Sequence, residues 1–311
     1  MSKAPLEDLF ENRVLYPDGP CRARLSRLEG LDDHRSRLTK ILSLLVNPAG
    51  LQQWADKHYG KTNKLLEVVR NRPPLVILAG DVGSGKTELA ECIGDEVARQ
   101  ENIDVTLLPL SLSTRGQGRV GEMTQLLSAA FDYTISEATK YKGTSSKARG
   151  AVLLLVDEAD ALAQSREAAQ MHHEDRAGVN TFIRGISRIG NANIPAAVIM
   201  CTNRYESLDP AVKRRAAEIL IFQRPNPEQR RIVLELTLKE LGFSDSEIET
   251  IVKITGPQTS HGYGFTFSDL TQRLLPRIIL DAYPNNPVKP SRAIELARSI
   301  VPTPPFKEEV R

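Results

Sequence analysis

The chain has 311 residues, of which 41% are hydrophobic and 26% charged, and its 41 Lys and Arg against 39 Asp and Glu leave a formal net charge of +2. This composition excludes a disordered chain and predicts a globular protein of one large domain or two ordinary ones. So small a net charge does not favour a nucleic-acid partner, and the longest apolar run, Ala151–Val156, is too short to cross a membrane. No signal peptide is evident, and three widely spaced cysteines suit a reducing compartment, so we expect a cytoplasmic protein.

Residues 1–25 contain three prolines and a glycine and predict an irregular N-terminal arm. A helix over Leu38–Val46 follows, and short apolar strands then alternate with helices, which is typical of a parallel sheet with crossover connections. The predicted strands are Leu75–Ala79, Val105–Leu110, Ala151–Val156, Ala196–Cys201 and Glu218–Phe222, and the predicted helices between them are Glu88–Arg99, Met123–Tyr141 and Gly178–Ile189. We therefore expect an α/β domain over residues 26–223, with a five-stranded parallel sheet and helices on both faces.

The pattern changes at Arg224–Pro227, after which only helices are predicted. Asn226 is a favourable N-cap with Pro227 at the first helical position, and Gly242 ends that helix. The later predicted helices are Glu247–Ile254, Ser268–Ala282 with a kink at Pro276, and Ser291–Ile300. Residues 224–311 are therefore predicted to form a second, helical domain with a proline-rich tail.

The segment Gly80–Thr87 fits the pattern G-x-x-x-x-G-K-[ST] between a predicted strand and a predicted helix. Its glycines let successive backbone N–H groups turn toward a polyphosphate at the helix N-terminus. Lys86 is expected to reach the β- and γ-phosphates, and the Thr87 hydroxyl to bind Mg²⁺. The predicted nucleotide-binding residues here are Gly80, Val82, Gly83, Ser84, Gly85, Lys86, Thr87 and Glu88.

Two acids, Asp157 and Glu158, follow the third predicted strand at the edge where parallel sheets bind ligands. We expect Asp157 to hold Mg²⁺ and Glu158 to polarise a water for attack on the γ-phosphate. The alternative is a helix N-terminus with favourable acids, which the accompanying phosphate loop disfavours. The guanine-reading pattern Asn-Lys-x-Asp is missing from the sequence, which argues against a GTPase.

Three further polar residues lie next to the last two predicted strands. Asn203 follows the fourth strand and is placed to position the lytic water, although taken alone it is more typical of a turn. Arg214 and Arg215 precede the fifth strand, and a guanidinium stays charged and can engage phosphate oxygens bidentately. We expect this pair to face the phosphate of a neighbouring subunit rather than its own loop.

As a set, these motifs resemble those of the AAA+ ATPases over about residues 28–300, with Gly30–Asp33 similar to the N-terminal linker of that family. Within the family, Asp157–Leu162 and Ser268–Pro276 look like the corresponding segments of the pachytene-checkpoint ATPases. The resemblance implies ATP and Mg²⁺ as cofactors. It also implies that the helical domain over residues 224–311 is a lid domain and that Arg273 is the lid arginine that touches the nucleotide.

The same resemblance implies how the protein acts. It suggests a homo-hexameric ring in which Arg215, with Arg214 next, serves as the finger acting in trans. Such rings grip an extended segment of a HORMA-domain protein and unfold or disassemble it by ATP hydrolysis. In bacteria, HORMA proteins and cyclic-oligonucleotide synthases are associated with anti-phage defence, so the resemblance implies that the ATPase restrains that signalling.

The sequence departs from the family in two places. Residues 1–25 are too short for a folded adaptor-binding domain, so we expect direct engagement of the substrate protein. The expected pore loop, Ser113–Glu122, lacks the usual aromatic residue and presents Arg119 and Val120 instead. A surface loop without grip is the alternative there, and Ala168–Arg176 is a weaker candidate for a second pore loop.

Two other function classes stay open at this point. A DNA-acting AAA+ loader or helper has the basic cluster Arg22–Lys40 as its only support, and a solvated helix face is the more common explanation of such a cluster. A nucleotide-switched scaffold that barely hydrolyses ATP is disfavoured by Glu158.

Overall fold

The computed structural model describes residues 9–10, 12–60, 63–111, 122–142, 148–160, 173–259 and 261–306. The chain forms two compact units. The first, called the sheet unit, comprises Met1–Ser26, Asp33–Ala79 and Thr87–Ile221. The second, called the lid unit, comprises Phe222–Arg311 together with the upstream segments Arg27–Asp32 and Gly80–Lys86.

A mixed sheet organises the sheet unit. Within the described residues it has six strands in the order β1-β3-β4-β5-β2-β6. The strands are β1 Val14–Tyr16, β2 Leu75–Gly80, β3 Asp104–Ser111, β4 Gly150–Asp157, β5 Ala196–Thr202 and β6 Glu218–Phe222. The pairs β3–β4, β4–β5 and β2–β5 are parallel, which confirms the α/β class and places the carboxyl ends of these strands at one edge.

Two predictions are each wrong in one respect. The sheet has a sixth, antiparallel strand, and the N-terminal arm contains regular secondary structure. β1 lies inside the supposed arm and pairs antiparallel with β3, with Val14 opposite Leu107. A short helix, Gly19–Leu25, follows β1, and the Asp18 carboxylate caps it by accepting the Cys21 N–H at 2.9 Å. Three strand residues carry too little periodicity to be recognised in sequence, and the edge of β3 supplies their hydrogen bonds.

Within the described residues, the helices up to β6 are Gly19–Leu25, Asp32–Val46, Pro48–Tyr59, Asn63–Arg70, Lys86–Cys92, Gly94–Glu101, Glu122–Lys140, His173–Ala192 and Pro210–Lys213. The helices Pro48–Tyr59 and Asn63–Arg70 are not predicted from the sequence. The single helix predicted over Glu88–Arg99 is two helices, separated at Ile93. Gly94 lies at the break, and the Tyr16 ring packs so closely there that a Cβ on Gly94 would be 2.3 Å from Tyr16 Cε2.

The central strands are buried on both faces, as a continuous apolar run predicts. On one face, the helices Glu122–Lys140 and His173–Ala192 pack through Phe131 and Phe182, whose rings meet edge to face at 5.8 Å. The helices approach closely at Gly185, where an added Cβ would be 2.3 Å from Phe131 Cδ2.

The lid unit is helical after Phe222. Its helical segments are Pro227–Leu238, Asp245–Ile254, the π-helical turn Asp269–Leu274, Leu275–Ala282 and Pro290–Ser299. Asn226 forms a capping box with Gln229, which confirms the predicted N-cap. The expected kink at Pro276 is a π-helical turn followed directly by a new helix, because proline removes a donor and crowds the preceding turn.

All three cysteines, Cys21, Cys92 and Cys201, are buried free thiols. Among the helices that the structure describes, none has the length and apolarity needed to cross a bilayer. Within the same residues, His, Cys, Asp and Glu side chains form no group of three able to hold a metal ion.

We predict that Gly185→Ala destabilises the protein by about 1–3 kcal/mol, because its methyl group overlaps the Phe131 ring in a close-packed core. Thermal and urea unfolding measure the loss. Gly190→Ala is the matched control in the same helix, since its Cβ would meet no atom nearer than Pro74 Cδ at 3.3 Å. Equal stability of the two variants would contradict the packing argument.

Candidate functional site

The phosphate loop Gly80–Lys86 lies in the lid unit and depends on residues without side chains. Gly80, Gly83 and Gly85 have φ values of +145°, +71° and +92°. A Cβ on Gly80 would be 2.0 Å from the Phe222 carbonyl oxygen, and one on Gly83 would be 2.9 Å from Ser268 Cβ. Only glycine fits these positions, so the loop has the open backbone that a polyphosphate requires.

Lys86 is buried and its ammonium group points into this loop. Lys86 Nζ donates to the carbonyl oxygens of Gly80 at 3.0 Å and Asp81 at 2.7 Å, and to Ser84 Oγ at 3.3 Å. A phosphate oxygen brought to the loop would compete with these acceptors for the same charge. The predicted residues Gly80, Ser84 and Lys86 are thus together in one loop, while the Val82 side chain is exposed.

In the sheet unit, Thr87 and Asp157 form a pair suited to a hard cation. Thr87 Oγ1 donates to Asp157 Oδ1 at 3.4 Å. Burial raises the pKa of the Asp157 carboxyl, although the Glu158 N–H, at 2.8 Å, and the Thr87 hydroxyl act to lower it. A divalent cation would offset the cost of burying this carboxylate, so the hydroxyl and carboxylate oxygens fit Mg²⁺.

Glu158 has an unusual backbone. Its φ is +50°, in the left-handed region that side-chain-bearing residues rarely adopt, and its side chain is exposed. Such a conformation costs about 1–3 kcal/mol and persists only where the surroundings impose it, often at functional sites. The next residue, Ala159, helps to impose it, since its N–H donates to the Cys201 carbonyl at 3.0 Å.

Asp160 holds the predicted residue Asn203. The Asp160 carboxylate accepts Thr202 Oγ1 at 2.8 Å, the Asn203 N–H at 2.8 Å and Asn203 Nδ2 at 3.2 Å. Asn203 therefore has a fixed side chain rather than that of a loose turn residue. The role of Asp160 is not predicted from the sequence, in which its position two residues after Glu158 is the only signal.

Arg214 and Arg215 follow the helix Pro210–Lys213 and differ in their surroundings. Arg215 Nη1 donates to the Ala211 carbonyl at 3.2 Å, and its side chain is partly buried. Arg214 is exposed, and no ion pair to it is found among the described residues. An exposed guanidinium of this kind is available to a group outside the chain.

Arg273 lies on the π-helical turn of the lid unit, beside a buried carboxylate. Arg273 Nη1 donates to Asp269 Oδ1 at 2.6 Å, and Thr303 Oγ1 donates to the same oxygen at 2.7 Å. Burial acts to raise the pKa of Asp269, but the donors from Thr266, Thr303 and Arg273 hold it below its usual value. Asp269 and Thr303 thus hold the guanidinium of Arg273 by hydrogen bonds. The sequence pattern does not reveal this role for either residue.

The remaining predicted residues are less informative. The Glu88 carboxylate accepts hydrogen bonds from Arg24 Nε and Nη2 at 2.6 and 2.7 Å, so its side chain is held in an ion pair. Arg119 and Val120 lie outside the described residues. So do residues 168–172 of the second pore-loop candidate.

Comparison with known proteins identifies the family. The profile of the AAA family, ATPase family associated with various cellular activities, matches residues 76–224. CD-NTase-associated protein 6 of Escherichia coli strain MS 115-1 is 64% identical over 304 residues, covering 98% of each chain. CD-NTase-associated protein 6 of E. coli strain KTE188 is 34% identical over 305 residues and also covers 98% of each chain.

Solved structures lead to the same group. A chain of the E. coli MS115-1 HORMA:CdnC:Trip13 complex matches with a TM-score of 0.91 and 61% identity, covering 98% of this chain and 100% of that one. Rhizobiales Trip13 matches with a TM-score of 0.75 and 55% identity, covering 95% and 100% of the two chains. The chain therefore belongs to the AAA ATPase family and, within it, to the family of CD-NTase-associated protein 6.

Proposed function

We propose that this protein is a ring-forming ATPase that remodels a HORMA-domain protein and thereby restrains an anti-phage complex containing a cyclic-oligonucleotide synthase. The observation that carries the proposal is the 61% identity, at a TM-score of 0.91, to a chain of the E. coli HORMA:CdnC:Trip13 complex. Similarity this close over 98% of the chain supports partners of the same class.

Nucleotide binding and hydrolysis are assigned to residues of one subunit. The phosphate loop N–H groups and Lys86 bind the β- and γ-phosphates of ATP, and Thr87 and Asp157 would hold Mg²⁺. The metal, when bound, neutralises charge on the phosphate oxygens. Glu158 accepts a proton from the attacking water as the water oxygen bonds to the γ-phosphorus and ADP departs, while Asn203 orients that water.

The neighbouring subunit is proposed to complete the site. The exposure of Arg214 and the partial exposure of Arg215 support a guanidinium that reaches across to the γ-phosphate of the adjacent protomer. A homo-hexameric ring would supply this geometry at each site. Arg119 and Val120 stay the predicted residues that contact the substrate polypeptide.

The DNA-acting alternative is not proposed, because carboxylates of the chain itself neutralise much of the basic cluster that suggested it. The ion pairs are Arg24 with Glu88 and Glu91, Arg35 with Glu96, and Arg37 with Glu218. A phosphate-binding surface needs cations that are free to release counterions on contact with DNA.

We expect Glu158→Gln to lower ATP hydrolysis by about 10²-fold or more while ATP binding is retained, because the amide cannot accept the proton of the lytic water. Phosphate release and equilibrium ATP binding measure the two effects. With ATP, this variant should also retain, in a pull-down, the HORMA protein of the E. coli MS115-1 complex. Glu240→Gln, an exposed glutamate of the lid unit, is the control and should behave as wild type.

Hydrolysis at the wild-type rate by Glu158→Gln would remove Glu158 from its proposed role. Failure of the trapped ring to retain the HORMA protein, with hydrolysis abolished, would contradict the proposed substrate class.

Mixing two inactive variants tests the shared site. Arg215→Ala subunits keep an intact phosphate loop but lack the finger, and Lys86→Ala subunits keep the finger but bind phosphate poorly. Mixed rings should regain hydrolysis, since an Arg215→Ala subunit next to a Lys86→Ala subunit has one complete site. The same mixture with Arg214→Ala shows which arginine is the finger. Only the variant that lacks the finger should be inactive alone and regain hydrolysis when mixed with Lys86→Ala subunits.

If neither arginine variant loses activity alone, the trans assignment is wrong. It is equally wrong if an inactive arginine variant gains nothing from Lys86→Ala subunits.

A further inference from the structure

Asp81, the second residue of the phosphate loop, has no assigned role, because the pattern G-x-x-x-x-G-K-[ST] leaves its position open. A carboxylate here is unexpected, since the loop is built to receive a polyanion and like charges repel. The Asp81 side chain is mostly buried and is paired with Arg224, whose Nε donates to Asp81 Oδ2 at 2.6 Å. Both residues belong to the lid unit.

The Asp81 carboxylate has two further donors, both backbone groups. Asp81 Oδ1 accepts the N–H of Val82 at 3.2 Å and the N–H of Phe306, in the C-terminal tail, at 3.3 Å. Because the carbonyl oxygen of the same residue meets Lys86 Nζ at 2.7 Å, the direction of the Asp81 side chain is tied to the conformation of the loop.

Arg224 is held independently of Asp81. Its Nη1 donates to the Gly264 carbonyl oxygen, and its guanidinium lies over the Tyr263 ring at 4.9 Å. Its Nη2 is buried and has no acceptor among the described residues. An ion pair with one buried donor unsatisfied contributes little to stability, which suggests that the pair is kept for another purpose.

We propose that Arg224 is a positioning residue for nucleotide binding: it neutralises the Asp81 carboxylate and holds it away from the phosphates that the loop receives. This inference rests on the proposed ATP site. Arg224 itself does not touch the nucleotide. Without it, an uncompensated negative charge remains in the first turn of the loop and opposes the phosphates.

The test is a charge-rescue experiment on the full chain with a fluorescent methylanthraniloyl ATP. Arg224→Gln should weaken nucleotide binding by about tenfold or more, since it leaves Asp81 charged and unpaired. The double variant Asp81→Asn, Arg224→Gln should recover binding to within about threefold of wild type, because the repelling charge is gone. The loss in the single variant should also shrink at high salt, which screens that charge.

Arg292→Gln is the matched control. Arg292 likewise pairs with an aspartate of the lid unit, Asp281, here through two hydrogen bonds, but it is exposed and remote in sequence from the loop. Its binding constant should equal that of wild type. Thermal unfolding of every variant shows whether a binding change accompanies a loss of folding.

Two outcomes overturn the inference. Wild-type binding by Arg224→Gln would show that the neutralisation is unnecessary. A double variant that binds as weakly as Arg224→Gln would show that Arg224 acts by supporting the fold and not by cancelling the charge. Because binding is measured without turnover, either outcome leaves the proposed hydrolysis and HORMA remodelling standing. If the wild-type protein does not hydrolyse ATP, the proposed function is rejected, while the inference about nucleotide binding still stands.

Discussion

The close approach of backbone to backbone at Gly80 is the constraint on which the rest of the structure depends. The turn from strand to helix requires glycine at this position, because a Cβ would lie 2.0 Å from the Phe222 carbonyl oxygen. That contact brings the end of β2 against the end of β6 and starts the loop that presents Lys86 and, one residue later, Thr87. A side chain at Gly80 would displace the loop before any chemistry could occur.

The carboxylates that follow β4 in the sheet unit have different surroundings. Asp157 is partly buried beside a hydroxyl, Glu158 is exposed on a strained backbone, and Asp160 accepts three hydrogen bonds from Thr202 and Asn203. Three acids within four residues would repel one another if all were equally exposed. Their different surroundings suit the separate roles proposed for them, as a cation ligand, a base and a positioning group.

Sequence predicts the parts of this site that have a fixed spacing. The phosphate loop is recognisable because its glycines and lysine must follow one another in order, and Asp157 because a buried strand ends there. The pairs Asp81–Arg224 and Asp269–Thr303 could not be found in this way, since the two members of each pair lie far apart along the chain. Their importance follows from pairing in space, which a single sequence does not reveal.

The fold likewise has elements that the local sequence specifies and elements that depend on tertiary contacts. Long apolar strands and capped helices such as the one at Asn226 are specified locally, and the sequence predicts them well. β1 exists because β3 offers an unpaired edge, and the break at Ile93 coincides with the packing of Tyr16 on Gly94. Both depend on tertiary neighbours, which override the local pattern.

The C-terminal tail connects the π-helical turn of the lid unit to the phosphate loop. Thr303 is bound to the Asp269 carboxylate and Phe306 to the Asp81 carboxylate. The three residues from one anchor to the other extend at most about 11 Å. While both bonds hold, the tail limits how far the π-helical turn and the phosphate loop can move apart, so a wider opening between them must first release one end of the tail.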